Sequence, residues 1–185
     1  MSTADLMIQY TSPRSRLTVF FRYFLAIPHL IIMGIWAYLI YLLTFFQWWI
    51  ILFTGKRNQG IWNMQRSWLA YATRVLSYVW LMYDKWPAIG AEPNGEPVAL
   101  MFNYEAKASR LTNFFRTLMV IPAAIVAAIV GIGAAICLVL SWLAIVITGK
   151  HPQGMWNFMR KYLRFATRMY AYMFMMTDTY PKYGA

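Results

Sequence analysis

Two uninterrupted apolar segments dominate the chain. Residues 23–55 form a run of 33 residues without Asp, Glu, Lys or Arg, and residues 117–149 form a second. One straight helix of this length would measure about 50 Å, whereas the hydrocarbon core of a bilayer is only about 30 Å thick. The pattern therefore predicts two short membrane crossings joined by a tight turn in each segment, and Gly131-Ile132-Gly133 marks a turn in the second. The alternatives are a single tilted and kinked crossing per segment, or a second crossing made by the segment that follows each apolar run.

A segment with helical periodicity follows each apolar run. Within residues 59–84 the polar side chains recur along one narrow stripe, and aromatic and aliphatic residues cover the remainder. In the second copy the stripe holds four basic residues within nine positions, which disfavours a crossing. The pattern predicts an amphipathic helix in the plane of the membrane interface, with an ordinary helix on a soluble domain as the alternative. The predicted contacts with lipid headgroups are Arg66, Arg74, Arg160, Lys161, Arg164 and Arg168.

The chain contains an internal duplication. A shift of 94 residues aligns residues 15–87 with residues 109–181 without a gap, and 29 of 73 positions are identical. The matched positions include Arg, Asp, Gly and Pro, which shared membrane composition does not explain. The predicted organisation is an N-terminal segment (1–14), unit 1 (15–87), a linker (88–108) with the turn sequence Pro93-Asn94-Gly95-Glu96-Pro97, unit 2 (109–181) and a tail (182–185).

The matched basic residues predict the orientation. Because Lys and Arg set the orientation of a membrane protein, duplicated units should face the same way, which requires an even number of crossings in each. All 17 basic residues then lie on one side of the membrane. The expected fold class is an all-α integral membrane protein, in which each unit is a transmembrane helical hairpin followed by an amphipathic interfacial helix. The expected location is a bacterial cytoplasmic membrane, with both termini cytoplasmic.

Composition supports the membrane class. Hydrophobic residues make up 61% of the chain and charged residues 12%, against a usual charged share of about 25%. This composition excludes a disordered chain, and the single Cys137 excludes a disulfide scaffold. The net charge of +11 arises from basic residues that flank apolar runs, so the expected counter-charge is anionic lipid rather than nucleic acid.

Two aspartates near the ends of the amphipathic segments need a compensating charge. Asp84 and Asp178 occupy equivalent positions, late in a helix, where a carboxylate opposes the helix dipole. We expect each to pair with a basic residue at the start of its own unit. The candidates are Arg16 or Arg22 for Asp84, and Arg110 or Arg116 for Asp178. An Asx-type turn before the following proline is the alternative.

Small residues recur in the second apolar segment at the spacing of close helix contacts. They are Ala123, Ala127, Gly131 and Ala135. The equivalent positions in unit 1 are mostly large, so we expect side chains of unit 1, or a helix of a partner protein, to pack on this stripe. Alanines facing lipid are the alternative.

The chain offers little for catalysis or metal binding. His29 and His151 lack companion ligands of the kind that metal sites require. Thr54-Gly55-Lys56 lacks the glycine and hydroxyl residue that complete a phosphate-binding loop. We therefore expect no catalytic residues, no metal and no cofactor.

The combined motifs resemble a known family. The order is Ser-Arg-Leu-Thr-x-Phe-Phe-Arg, Ile-Pro, a long apolar run, Thr-Gly-Lys, a Thr-Arg amphipathic helix and Asp-x-x-Pro. It resembles a bacterial membrane domain of unknown function, numbered 4389, in two tandem copies. The resemblance implies membrane location and gives no activity to carry over. The second copy departs from the first at Asn113 and lacks the aromatic-rich first arm.

These features favour a non-enzymatic role. The expected function is an accessory subunit or scaffold of a membrane complex, with basic helices on anionic lipid headgroups and a second membrane protein or copy as partner. A small transporter or channel is the alternative, and it would need the few polar residues Thr44, Gln47, His29 and Ser141. A membrane enzyme that acts on lipid is a further alternative, with Asp84 and Asp178 as its only candidates.

Overall fold

The computed structural model describes residues 4–90 and 95–184. Within these residues the chain forms five helices and two short strands. Their bounds are β1 Asp5–Ile8, α1 Arg16–Phe20, α2 Arg22–Thr54, α3 Gln59–Val79, β2 Val98–Met101, α4 Arg110–Thr148 and α5 Gln153–Met173. Pro93 and Asn94, which belong to the predicted linker turn, lie outside the described residues.

Each apolar segment is one long helix, so the predicted pair of short crossings within it is wrong. Helix α2 has 33 residues and α4 has 39, and both continue through an internal proline. The glycines that were predicted to turn the chain lie inside α4. A side chain at Gly131 would come within 3.2 Å of Tyr162, and one at Gly133 within 3.3 Å of Phe158. These glycines therefore allow α5 to pack closely against α4. A glycine pair in an apolar segment is compatible with a turn and with close packing, so the sequence alone does not distinguish the two.

The helical hairpin of each repeat instead joins the long helix to the amphipathic helix. Gly55 ends α2 in the left-handed conformation (φ 70°), and the Asn58 side chain caps α3. Helix α3 then runs back along α2, where Gln65 donates to Thr44 at 2.9 Å. The prediction of a helix lying apart in the interface plane is therefore wrong for α3. The second half of its polar stripe is buried in the protein, at Thr73, Arg74 and Ser77, whereas Gln59 and Asn63 in the first half are exposed.

The two long helices run antiparallel. The Trp48 indole near the end of α2 donates to the carbonyl of Asn113 near the start of α4, at 3.2 Å. The equivalent Trp142 donates to the carbonyl of Val19, also at 3.2 Å. Basic residues consequently lie at both ends of the helix pair, so they do not gather at one end as the orientation argument assumed.

The helices form two layers, and the strands lie on the second. The contacting pairs are α2 with α3, α4 with α5, α2 with α4, and α3 with α5. The long helices are therefore one layer and the shorter helices the other. Strands β1 and β2 pair antiparallel from Asp5–Met101 to Ile8–Val98, with β1 on α5 and β2 on α3.

The small residues of α4 pack against their own repeat. Ala123 and Ala127 are buried against Phe165 of α5, and Gly131 faces Tyr162. The expectation that they receive side chains of unit 1 or of a partner is therefore wrong. Ala135 is exposed and Ala134 is buried instead, because the helical repeat of 3.6 residues shifts the contact stripe by one position.

Candidate membrane-binding face and basic sites

The long helices expose apolar side chains and bury polar ones. Arg22, His29 and Gln47 of α2 are at most 1% exposed. Large apolar residues cover the outer side, among them Phe24, Ile31, Ile35, Tyr38, Phe45 and Phe53 on α2, and Leu118, Ile125, Ile129, Ile132, Ile136 and Ile147 on α4. Water-soluble proteins rarely show a continuous apolar surface of this size. We call the outer sides of α2 and α4 the apolar face.

Both long helices are long and apolar enough to cross a membrane, judged by length and composition. Only 11% of the most apolar window of α2 and 17% of that of α4 is buried within the protein. A core helix of a soluble protein would be mostly buried. The apolar residues therefore require another partner to cover them.

Asp84 joins parts of repeat 1 to the N-terminal segment. Its Oδ1 contacts the guanidinium groups of Arg22 and Arg14, the latter at 3.3 Å, and its Oδ2 accepts from the backbone N–H of Ser15 at 2.9 Å. Arg22 also donates to the carbonyls of Tyr78 and Tyr83 at 2.8 and 2.6 Å. Of the two predicted partners, Arg22 contacts Asp84.

Asp178 repeats this arrangement at the other end of the helix pair. Its Oδ1 pairs with Arg116 at 2.6 Å and with Arg57 at 2.7 Å, and its Oδ2 accepts from Ser109 N–H at 2.8 Å. Each carboxylate thereby ties the start of a long helix to the end of the following amphipathic helix. Each carboxylate contacts two guanidinium groups and one backbone N–H.

Arg16 and Arg110 do not contact these aspartates, so those alternative pairs are wrong. Arg110 donates to the carbonyl of Phe53 at 2.8 Å, at the end of α2. Arg16 lies beside Gly149, at the end of α4. The first turn of α1 and of α4 points these side chains toward the neighbouring repeat, whereas Arg22 and Arg116, six residues later, face inward.

The residues predicted to contact headgroups have different environments. Arg74 is 2% exposed and donates to the carbonyl of Gly90, so it is unavailable to lipid. Arg164 and Arg168 pair with Asp5 of β1 at 2.7 and 3.3 Å. Arg160 lies over the ring of Trp156, while Arg66 is half-buried and Lys161 exposed.

Two arginines of the basic cluster on α5 face β1. Tyr162 and Phe158 of α5 contact α4, whereas Arg164 and Arg168 lie on another side of the same helix, beside Asp5 of β1. Together with Arg160, Lys161 and Lys182 they border a shallow groove of about 60 Å³. Arg164 and Arg168 are therefore directed to β1 rather than to the apolar face.

An apolar cavity of about 220 Å³ lies between α2, α3 and α5. Its lining is aliphatic and aromatic apart from Thr73 and Thr167, whose hydroxyls donate to carbonyls of their own helices. The polar residues that a channel would need are also engaged in packing: His29 bonds to the Tyr71 hydroxyl, and the Gln47 carbonyl accepts from Asn58 N–H. No group of three or more His, Cys, Asp or Glu that could hold a metal occurs in the described part of the chain.

Two copies of one family domain account for this duplicated architecture. The family model of a domain of unknown function, DUF4389, matches residues 16–89 and again residues 110–183. The chain belongs to the DUF4389 family. Comparison with curated proteins and with solved structures found no match.

Each DUF4389 repeat also places two exposed basic residues at the edges of the apolar face, which the sequence-based set of headgroup contacts did not include. They are Arg16 and Lys56 in repeat 1, and Arg110 and Lys150 in repeat 2. The lysine follows the glycine that ends the long helix, and the arginine lies at the first position of α1 or α4. Their identity in both repeats and their position beside the apolar runs were the signals that could have indicated them.

Proposed function

We propose that the chain is a membrane-embedded, non-enzymatic protein that acts as an accessory subunit or scaffold and holds anionic lipid. The apolar face carries this proposal, because it exposes large side chains along the full length of two helices whose polar residues point inward. A protein surrounded by lipid is expected to face its polar residues inward and its apolar residues outward.

The four exposed residues Arg16, Lys56, Arg110 and Lys150 supply the charge for lipid headgroups. They border the apolar face, where phosphate groups of surrounding lipids would lie. A basic residue near an anionic membrane surface contributes about 1 kcal/mol. The basic cluster on α5 does not supply this charge, because Arg164 and Arg168 in it already pair with Asp5 of β1.

The proposed partners are tested by purifying the tagged chain in native lipid nanodiscs and identifying proteins and lipids by mass spectrometry. An accessory subunit should co-purify with a stoichiometric membrane protein, whereas a lipid-organising scaffold should carry enriched anionic lipid alone. Recovery of the chain in the water-soluble fraction, without lipid, would refute the membrane role altogether.

A pair of matched variants tests the headgroup assignment. Lys56→Gln with Lys150→Gln removes two charges at the edges of the apolar face, and Lys161→Gln with Lys182→Gln removes the same charge from the groove beside α5. We expect anionic lipid enrichment to fall roughly tenfold or more in the first variant and to stay near wild type in the second. Equal losses would show that net charge, rather than position, holds the lipid.

A further inference from the structure

The apolar face is too long for a helix that stands upright in a bilayer. Exposed apolar residues extend from Phe24 to Phe53 in repeat 1 and from Leu111 to Ile147 in repeat 2, and all four are at least 70% exposed. At 1.5 Å per residue the two stretches measure about 44 Å and about 54 Å, against about 30 Å of hydrocarbon. An upright molecule would leave a large part of this surface in water.

The second layer is incompatible with the middle of a bilayer. The two ends of α5 lie near the two ends of the helix pair, since Trp156 bonds to Met82 and Tyr172 contacts Arg116. Arg164 and Asp5 therefore lie midway along the molecule, together with the open two-stranded sheet. Upright insertion would place charged groups and unpaired strand edges at hydrocarbon depth, where both are costly.

Basic residues border the apolar face at both ends. Lys56 and Arg110 lie at one end of the antiparallel helix pair, and Lys150 and Arg16 lie at the other. An upright molecule would divide them between the two sides of the membrane, without the excess on one side that orients membrane proteins. A molecule lying flat places all four at the headgroups of one leaflet.

We propose that the chain lies flat in a single leaflet, with its apolar face among the acyl chains and without crossing the bilayer. The helices α3 and α5 and the strands then face water on the same side as both ends of α2 and α4. This inference rests on the proposed membrane function and specifies its geometry. It also predicts that the protein occupies area in one leaflet only, as interfacial helices do.

Cysteine labelling distinguishes flat from upright insertion. Cys137 is the single cysteine of the chain and lies within α4, so Cys137→Ala provides a background free of thiols. Lys56→Cys, Lys150→Cys and Lys161→Cys then report the two ends of the apolar face and the middle of α5. Each variant is expressed in bacteria and treated with a membrane-impermeant maleimide, in intact spheroplasts and in inverted membrane vesicles.

We expect all three cysteines to react from the same side. Reaction of Lys56→Cys and Lys150→Cys from opposite sides would overturn flat insertion and leave the membrane function standing. The same conclusion would follow if Lys161→Cys were protected from both sides in membranes but reacted in detergent. If the chain were recovered in the soluble fraction, with all three cysteines reactive there, both the membrane function and the flat insertion would be wrong.

Discussion

Arg14 and Arg57 occupy equivalent places beside the two aspartates although they are not equivalent in the duplication. Arg14 contacts Asp84 at 3.3 Å and donates to the carbonyl of Leu81 at 3.0 Å. Arg57 contacts Asp178 at 2.7 Å and donates to the carbonyl of Met175 at 2.7 Å. The guanidinium beside Asp84 comes from the segment before α1, and the one beside Asp178 comes from the α2–α3 turn of repeat 1. The two sites therefore reach one arrangement by different routes.

The exchange involves two further positions. A shift of 94 residues aligns Arg14 with Ala108 and Arg57 with His151. His151 therefore lies near Asp84, as the equivalent Arg57 lies near Asp178. The His151 side chain is buried, with 2% of its surface exposed. Leu81 and Met175 both adopt a positive φ of 60°. The arginine bonds to their carbonyls help to hold this unfavourable backbone conformation.

We predict that Arg14→Gln and Arg57→Gln each destabilise the protein. Loss of a buried guanidinium leaves carbonyl groups and part of a carboxylate without a donor, at a cost of about 3 kcal/mol. The melting temperature in detergent should fall by roughly 5 °C or more. Arg16→Gln, which removes the same charge from an exposed residue, should leave it nearly unchanged.

A double-mutant cycle checks that the effect of Arg14 passes through the carboxylate. Asp84→Asn alone should also lower the melting temperature, and the two substitutions together should cost less than the sum of the single changes. Strictly additive costs would contradict a shared site.

The pairing of Asp84 with Arg22 was predictable because both residues belong to one repeat and recur in the other as Asp178 and Arg116. The role of Arg57 was not, because repetition indicates only what the repeats share. The strands were also missed. Each strand has four residues, and their pairing joins segments separated by more than 80 residues. No local sequence pattern therefore predicts the pairing.

The long helices show a second limit of sequence reasoning. Gly131 in an apolar segment is compatible with a turn and with close helix packing, and only the position of Tyr162 distinguishes the two. The amphipathic stripe of α3 was located correctly, but its polar residues were expected to face headgroups. Thr73 and Arg74 of this stripe are buried because the chain itself provides hydrogen-bond partners, the carbonyls of Ala70 and Gly90.

His151 should make stability depend on pH. Burial and the nearby charge of Arg14 lower the pKa of His151 to about 4, whereas an unfolded histidine titrates near 6.5. Between these values the unfolded state binds more protons, so stability falls as the pH drops from about 6.5 toward 4. At pH 5 the loss is about 2 kcal/mol.

Thermal unfolding in detergent from pH 4 to pH 8 measures this effect. His151→Gln should flatten the decrease below pH 6.5, and the difference between the two proteins isolates this group from the carboxylates. Identical pH profiles for variant and wild type would contradict the assignment.

Ala127 and Ala135 provide a matched test of helix packing in α4. Ala127 is buried against Phe165, whereas Ala135 lies on the exposed side. Ala127→Leu forces extra volume into a packed contact and should cost about 1–3 kcal/mol, while Ala135→Leu should be neutral. Melting temperatures of the two variants check this, and a larger effect at Ala135 would point to an interface with another helix.

Arg74 tests whether the buried polar stripe of α3 serves structure rather than lipid. Its guanidinium is buried and bonds to the carbonyl of Gly90, so Arg74→Gln should lower the melting temperature. The anionic lipid retained per folded molecule should stay at the wild-type level, because no headgroup reaches this side chain. Arg66→Gln removes the same charge from a half-buried position of the same helix and should change stability less. A loss of bound anionic lipid in Arg74→Gln, with stability intact, would restore the headgroup role to α3.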